Sequence, residues 1–301
     1  MTQNGFSTSL NGYKLTLKHF LRKRNVLPTL VQSLWKKKEV ADFRAAVKRA
    51  LKHQVMTVPR TVIQDAFESI DKVDQNKIKA KLGKYPSTIA AALPVATIAG
   101  FYTWVNNEVG QDAMDSLAGQ GISITGTFNL TNPDVISHLS DKANLLIDTV
   151  DNTTKDQIAQ VISDGYTNGQ SWQDIANSIS QGNLTDLNGN DLIGYRSELI
   201  ARMETANAAA DAQQNFYEKS GLDQGQKTWE LGPDHDKDDD CDDNADGSPI
   251  DYSDDFDSGD FWTPAHINCG CSVSVAPPDG YIADNVWDGS DDEGDEEDEG
   301  D

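Results

Sequence analysis

Cysteine is scarce in this chain, three in 301 residues. An odd count at this length supports a disulfide framework poorly, because one thiol is always left over. Long apolar runs are missing as well. The longest, 89–101, has 13 residues and contains Pro94, short of the roughly 20 that span a bilayer. It reads as a buried or partner-facing helical segment, and no membrane association is expected. No signal peptide directs the chain to an oxidising compartment. Also missing are a His-Glu-x-x-His pair, a phosphate-cradling glycine loop and paired acids in a recognisable frame, so no catalytic residue is expected. Basic residues nearly vanish towards the C-terminus. Residues 222–301 hold 27 Asp and Glu against Lys227 and Lys237, a net of −25.

The charge that is present is polarised. Residues 1–60 carry 13 Lys and Arg against Glu39 and Asp42, a net of +11 inside a whole-chain charge of −24. Two chemically different ends suit two different partners. The basic end can touch DNA non-specifically, since no aromatic platform or base-reading motif accompanies it, whereas the acidic end would repel DNA. Keeping both ends solvated would leave the same pattern. The last eleven residues contain nine Asp and Glu, a composition expected to be disordered.

Between the ends the apolar spacing is helical. Leu30, Val31, Leu34, Trp35, Val40, Phe43, Ala46, Val47 and Leu51 form the apolar face of amphipathic helices within 14–53, opposite Lys36, Lys37, Lys38, Arg44, Lys48, Arg49 and Lys52. Helical segments follow over 59–82 and on to about 117. Asn132 and Pro133 read as an N-cap and first helical residue, Thr154 with Gln157 as a capping box, and Ser171 with Asp174 as another helix start. Asn168-Gly169 reads as a helix end. Residues 182–194 form an Asn/Asp/Gly loop; Asp186, Asn188 and Asn190 imitate EF-hand ligands, but Asp191 and Ser197 stand where Gly and Glu belong, so a turn is expected. A helix over 197–219 contains Ala201-Arg202-Met203-Glu204-Thr205-Ala206. Arg202 and Glu204, two apart, face different neighbours and read as inter-element contacts. Alternation over 227–231 and 272–275 predicts strands.

All three cysteines and two of the five histidines fall between 229 and 275. Thr263-Pro264-Ala265-His266-Ile267-Asn268-Cys269-Gly270-Cys271 must turn at Pro264 and Gly270, bringing an imidazole and two thiols together. Cys241 lies upstream in an acidic loop. One reading is a structural zinc site of Cys241, His266 and Cys269, with Cys271, Asp238 or His235 as fourth ligand. A disulfide and a cluster of reduced, packed thiols are the other two.

This stretch resembles the phage head morphogenesis family, minor head proteins similar to protein F of phage Mu. The resemblance rests on Cys241, Asn244, Gly247 and Ile250, then Phe256, Ser258 and Gly259, then Pro264, His266, Asn268, Cys269 and Cys271. The Phe128-x-Leu130-Thr131-Asn132-Pro133 opening, Thr153-Thr154-Lys155, Gly169-x-Ser171 and the Arg202/Glu204 motif extend it to about 128–278. Asp238 stands where the family pattern has a first cysteine, Ile267 replaces a proline, Gly270 an arginine and Met203 a threonine. The resemblance implies a virion component, at the capsid interior or portal vertex and in the host cytoplasm during assembly. It implies links to portal, scaffold or major capsid protein, or to packaged DNA during packaging or ejection. Cys241, His266, Cys269, Cys271 and Asp238 would then be the metal candidates, and Arg202, Glu204, Asn244 and Pro264 structural motif residues. A metal-dependent hydrolase or transferase using Arg202 and Glu204, and a DNA-binding accessory protein, are the competing readings. The expected fold is α+β: a mainly helical body, a small C-terminal β-containing Cys/His module and a disordered acidic tail. The expected divisions are a basic helical arm (1–60), a helical body (61–221), the Cys/His module (222–283) and the tail (284–301).

Overall fold

In a computed structural model, residues 26–69, 75–118, 133–185, 191–232 and 240–278 are described. The N-terminal 25 residues, the acidic tail and the loops holding Asp186, His235 and Asp238 lie outside them.

The described helices are α1 (Val26–Trp35), α2 (Lys38–Met56), α3 (Arg60–Glu68), α4 (Gln75–Leu82), α5 (Ile89–Ala92), α6 (Val95–Ala118), α7 (Pro133–Thr167), α8 (Trp172–Ser180), α9 (Leu192–Lys219) and α10 (Asp240–Asp246). Three short strands, β1 (Gln226–Glu230), β2 (Ile250–Asp251) and β3 (Ser272–Ala276), form one antiparallel sheet in the order β2-β1-β3. The α+β architecture and the strands read from alternation are therefore present. No described helix is long and apolar enough to cross a membrane.

The body is built around α9, which packs on α2 and α6. Alanine makes this possible: Ala201, Ala206, Ala208, Ala209 and Ala212 are buried, so neighbouring helices can approach closely. Across from it, α2 buries Val40, Phe43, Val47, Leu51 and Val55, and Phe43 stacks on Phe101 of α6 with ring centroids 4.0 Å apart. The polar face of α2 is basic and partly neutralised by ion pairs of Arg44 with Glu198 and Lys48 with Asp191, and Lys37, just before the helix, pairs with Glu108.

Pro133 opens α7 as expected, and Ser171 caps α8 by accepting from the Asp174 N–H at 3.2 Å. Gly169, at φ 73, sits just past the end of α7. One sequence expectation is corrected. Thr154 and Gln157 do not start a helix; α7 runs through them to Thr167. Thr154 Oγ1 instead donates to the Val150 carbonyl four residues back (2.6 Å), and both side chains accept from Arg196 Nη1 of α9 at 3.0 Å. A second correction concerns α9, which begins at Leu192 rather than 197, capped by Asp191 accepting from the Gly194 N–H at 3.0 Å. The EF-hand-like spacing thus ends in a helix cap.

A second, smaller core gathers Phe216, Tyr217 and Leu222 from the end of α9 and after it with Trp229, Tyr252, Phe256, Trp262 and the three cysteines. It joins the sheet to the body.

Candidate metal centre

The β1–β3 pairing runs from Gln226 opposite Ala276 to Glu230 opposite Ser272, so the end of β1 meets the cysteine loop. There Gly232 N–H donates to Cys271 Sγ at 3.3 Å. A Cβ on Gly232 would sit 2.6 Å from the Gly270 carbonyl oxygen, so this crossing of two backbones requires glycine. Cys241 arrives from α10, whose buried face it shares with Asn244. Cys269 is set by its N–H donating to the His266 carbonyl (3.2 Å), after Asn268 adopts φ 65, a left-handed conformation that asparagine tolerates.

The three cysteines are buried and form no disulfide, and their sulfurs all lie within 4.8 Å of one another. Cys241 and Cys269 Sγ are 3.8 Å apart. Zinc bound tetrahedrally at about 2.3 Å per sulfur would set that separation at about 3.8 Å. The donor set therefore fits a soft or borderline metal ion by spacing and by chemistry. His266 stands at the Cys241 corner, with Nε2 3.2 Å from that sulfur, and is not part of the group that holds all three sulfurs. Its Nδ1 lies 3.0 Å from the Ile267 carbonyl oxygen, which can only accept. A neutral ring with its proton on Nδ1 would serve that contact and leave a lone pair on Nε2, the arrangement that a ligating imidazole needs.

The thiols also shift one another's acidity. Hydrogen bonds from Cys241 and Cys271 and from nearby backbone N–H groups hold Cys269 far below the usual thiol range. Cys241 is pushed up by its hydrogen bonds to Cys269 and Cys271 and by burial. For Cys271 the bond with Cys241, which lowers it, is outweighed by the bond with Cys269 and by burial, and it rises to about 11. The three thiols thus titrate as one coupled group, with Cys269 the most acidic of them.

Of the remaining predicted residues, Asn244 shares α10 with Cys241 and Arg202 reaches the cysteine loop. Asn244 Nδ2 donates to Ser258 Oγ and its Oδ1 accepts from Ser258 N–H, both at 2.9 Å, clamping the turn 256–260 against α10. Pro264 follows a cis peptide bond after Thr263. Arg202 on α9 reaches the cysteine loop directly: Nη1 donates to Asn268 Oδ1 (3.1 Å), Nε to Glu198 (2.9 Å), and the guanidinium lies 5.1 Å from the Trp35 ring centroid. Neighbouring Met203 accepts from Asn268 N–H through its sulfur at 3.1 Å. Glu204 points elsewhere and accepts from the Tyr102 hydroxyl of α6. Asp238 lies outside the described residues. Gly270 faces α1, where an added Cβ would meet Gln32 Nε2 at 3.3 Å and the Trp35 ring at 3.4 Å, so α1 fills the space next to this glycine.

Residues 156–274 match the model of the family described as phage Mu protein F like protein. This stretch is similar to that family. The family is one of phage head morphogenesis. The Mu F-like stretch begins within α7, takes in α8 and α9, and ends inside β3, so it contains Arg202, Glu204 and the whole thiol cluster. No curated protein and no solved structure matches the chain.

One residue of the Mu F-like stretch had no sequence signal of its own. Lys227 of β1 is fully buried, its ammonium donating to the Phe261 carbonyl at 2.9 Å. Four rings enclose it, with centroids 3.4 Å (Phe261), 5.0 Å (Phe256), 5.7 Å (Tyr252) and 5.8 Å (Trp262) from Nζ. Burial lowers its pKa to about 8, against the opposing pull of Asp255 and Asp254. Four aromatics within 252–262 were the available hint.

Proposed function

We propose that this protein is a minor head protein of a tailed phage, without catalytic activity, whose C-terminal module is stapled by one zinc ion. The observation that carries the reading is the thiol cluster inside the Mu F-like stretch, with sulfur spacing suited to a tetrahedral ion. Cys241, Cys269 and Cys271 would hold the metal, with the Nε2 lone pair of His266 as fourth donor; Asp238 is the competing fourth ligand. Bound zinc would add cross-linking energy to a core too small to be very stable alone. The protein would act near the portal vertex, contacting portal, scaffold or major capsid protein. The basic N-terminal segment would add non-specific DNA contact during packaging or ejection.

Mass spectrometry of the purified chain under native, reducing conditions tests the metal. One zinc is expected per wild-type chain, and His266→Ala should lose it together with several degrees of melting temperature. Metal absent from both would leave a packed thiol cluster and remove the zinc claim. Immunoblotting of purified particles tests the assembly role separately: a protein missing from finished heads and from assembly intermediates is not a head component.

A further inference from the structure

A cavity of 360 Å³ opens where α6, α7 and α9 meet the module, away from the thiols. Its polar side is built by Glu204 with Tyr102, and by Lys142 of α7 paired with Asp211 of α9. Its apolar side is Leu145, Leu146 and Trp262. The volume is in the range of sites for small ligands or single large side chains.

The charges in it do not balance. Asp211 is matched by Lys142, but no Lys or Arg among the described residues forms an ion pair with Glu204. Burial pushes the Glu204 carboxyl up, and the nearby Asp211 adds to this, while the Tyr102 hydroxyl and Lys142 oppose it. One more positive group is what the cavity lacks. Its apolar wall suits a hydrocarbon stem, and an indole face suits a planar cation better than a compact ammonium. Leu145, 67% exposed, stands at the rim as an apolar lip. Two carboxylates, one of them already paired, make a poor set for a hard divalent ion, which takes six or more oxygens.

We propose that this cavity binds an arginine side chain of a partner protein, its guanidinium on Glu204 and its stem between Leu145 and Trp262. A strongly acidic chain draws basic partners, and this cavity gives that attraction a specific seat. The inference does not depend on metal at the thiol cluster.

The probe is N-acetyl-arginine methylamide, titrated into the full chain and followed by NMR shifts of the tryptophan indoles. The control probe is the citrulline analogue, which has the same shape without the charge. Arginine should bind about tenfold or more tightly than citrulline, the ratio expected of one charge-assisted contact. Glu204→Gln should erase that preference. Leu145→Arg, at an exposed position that should not disturb folding, should close the site to both probes. Equal binding of the two probes, a preference that survives Glu204→Gln, or displacement of arginine by millimolar magnesium would each overturn the proposal. Unchanged melting of Leu145→Arg keeps the test valid should Glu204→Gln unfold.

Discussion

Among the largest fully buried side chains of the described residues, Lys227 is the one that carries charge. Folded, it gives up its proton near pH 8; unfolded, near 10.5. Between those values the unfolded state holds more protons, so raising the pH favours the fold. The stability of wild type relative to Lys227→Met should therefore climb from pH 8 to pH 10 in urea titrations, and a flat difference would mean that the ammonium is not desolvated. Arg202 acts through shape as much as charge. Arg202→Lys keeps the charge but loses the fork that joins Glu198, Asn268 and Trp35, and should cost about 1 kcal/mol in denaturant unfolding. An unchanged midpoint would show that the cysteine loop needs no brace from α9.

At the scale of elements, one buried side chain ties three helices. Gln54 of α2 donates to Asp151 of α7 at 2.8 Å, while its Oε1 accepts from both the N–H and the hydroxyl of Thr88, before α5, at 2.6 Å. Gln54→Ala leaves these groups without that partner and should cost about 2–3 kcal/mol, read by thermal unfolding. A loss below about half a kcal/mol would mean that water replaces the amide. Elements of this kind were legible where a local rule decides them: the apolar stripe of α2, Pro133 and Ser171 at helix starts, and alternation in β1 and β3. Thr154 and Gln157 misled because a hydroxyl three residues before an amide occurs equally within a helix, and only the distant Arg196 reveals their use. The short α10 was hidden in an aspartate-rich stretch that reads as loop. At the candidate site, the clustering of cysteines and the divergence of Arg202 from Glu204 could be read from spacing. The contact of Gly270 with α1 and the enclosure of Lys227 could not, because both depend on partners far along the chain.

For the whole molecule, two cores of unequal size share α9. The larger runs from Val31 to Ala212, and the smaller collects the sheet, the aromatics around Lys227 and the thiols. If zinc staples the smaller core, a strong chelator should release hydrogen-exchange protection in β1 and β3 while leaving α2 and α7 protected. Simultaneous loss in both cores would mean that they form a single cooperative unit.

The antiparallel pairing of β1 and β3 has a mechanical consequence. Gln226 follows closely on α9, and its partner Ala276 is the last residue of β3, so the two ends through which tension would pass lie side by side. Pulling on the C-terminus against the helical body loads the rungs one at a time, as a zipper opens, rather than all together in shear. In an optical trap the strands should part at low force from Ala276 towards Ser272. Beyond Ser272 lies Cys271, so with metal bound to the thiols the opening should halt there, and removing the metal should abolish the halt.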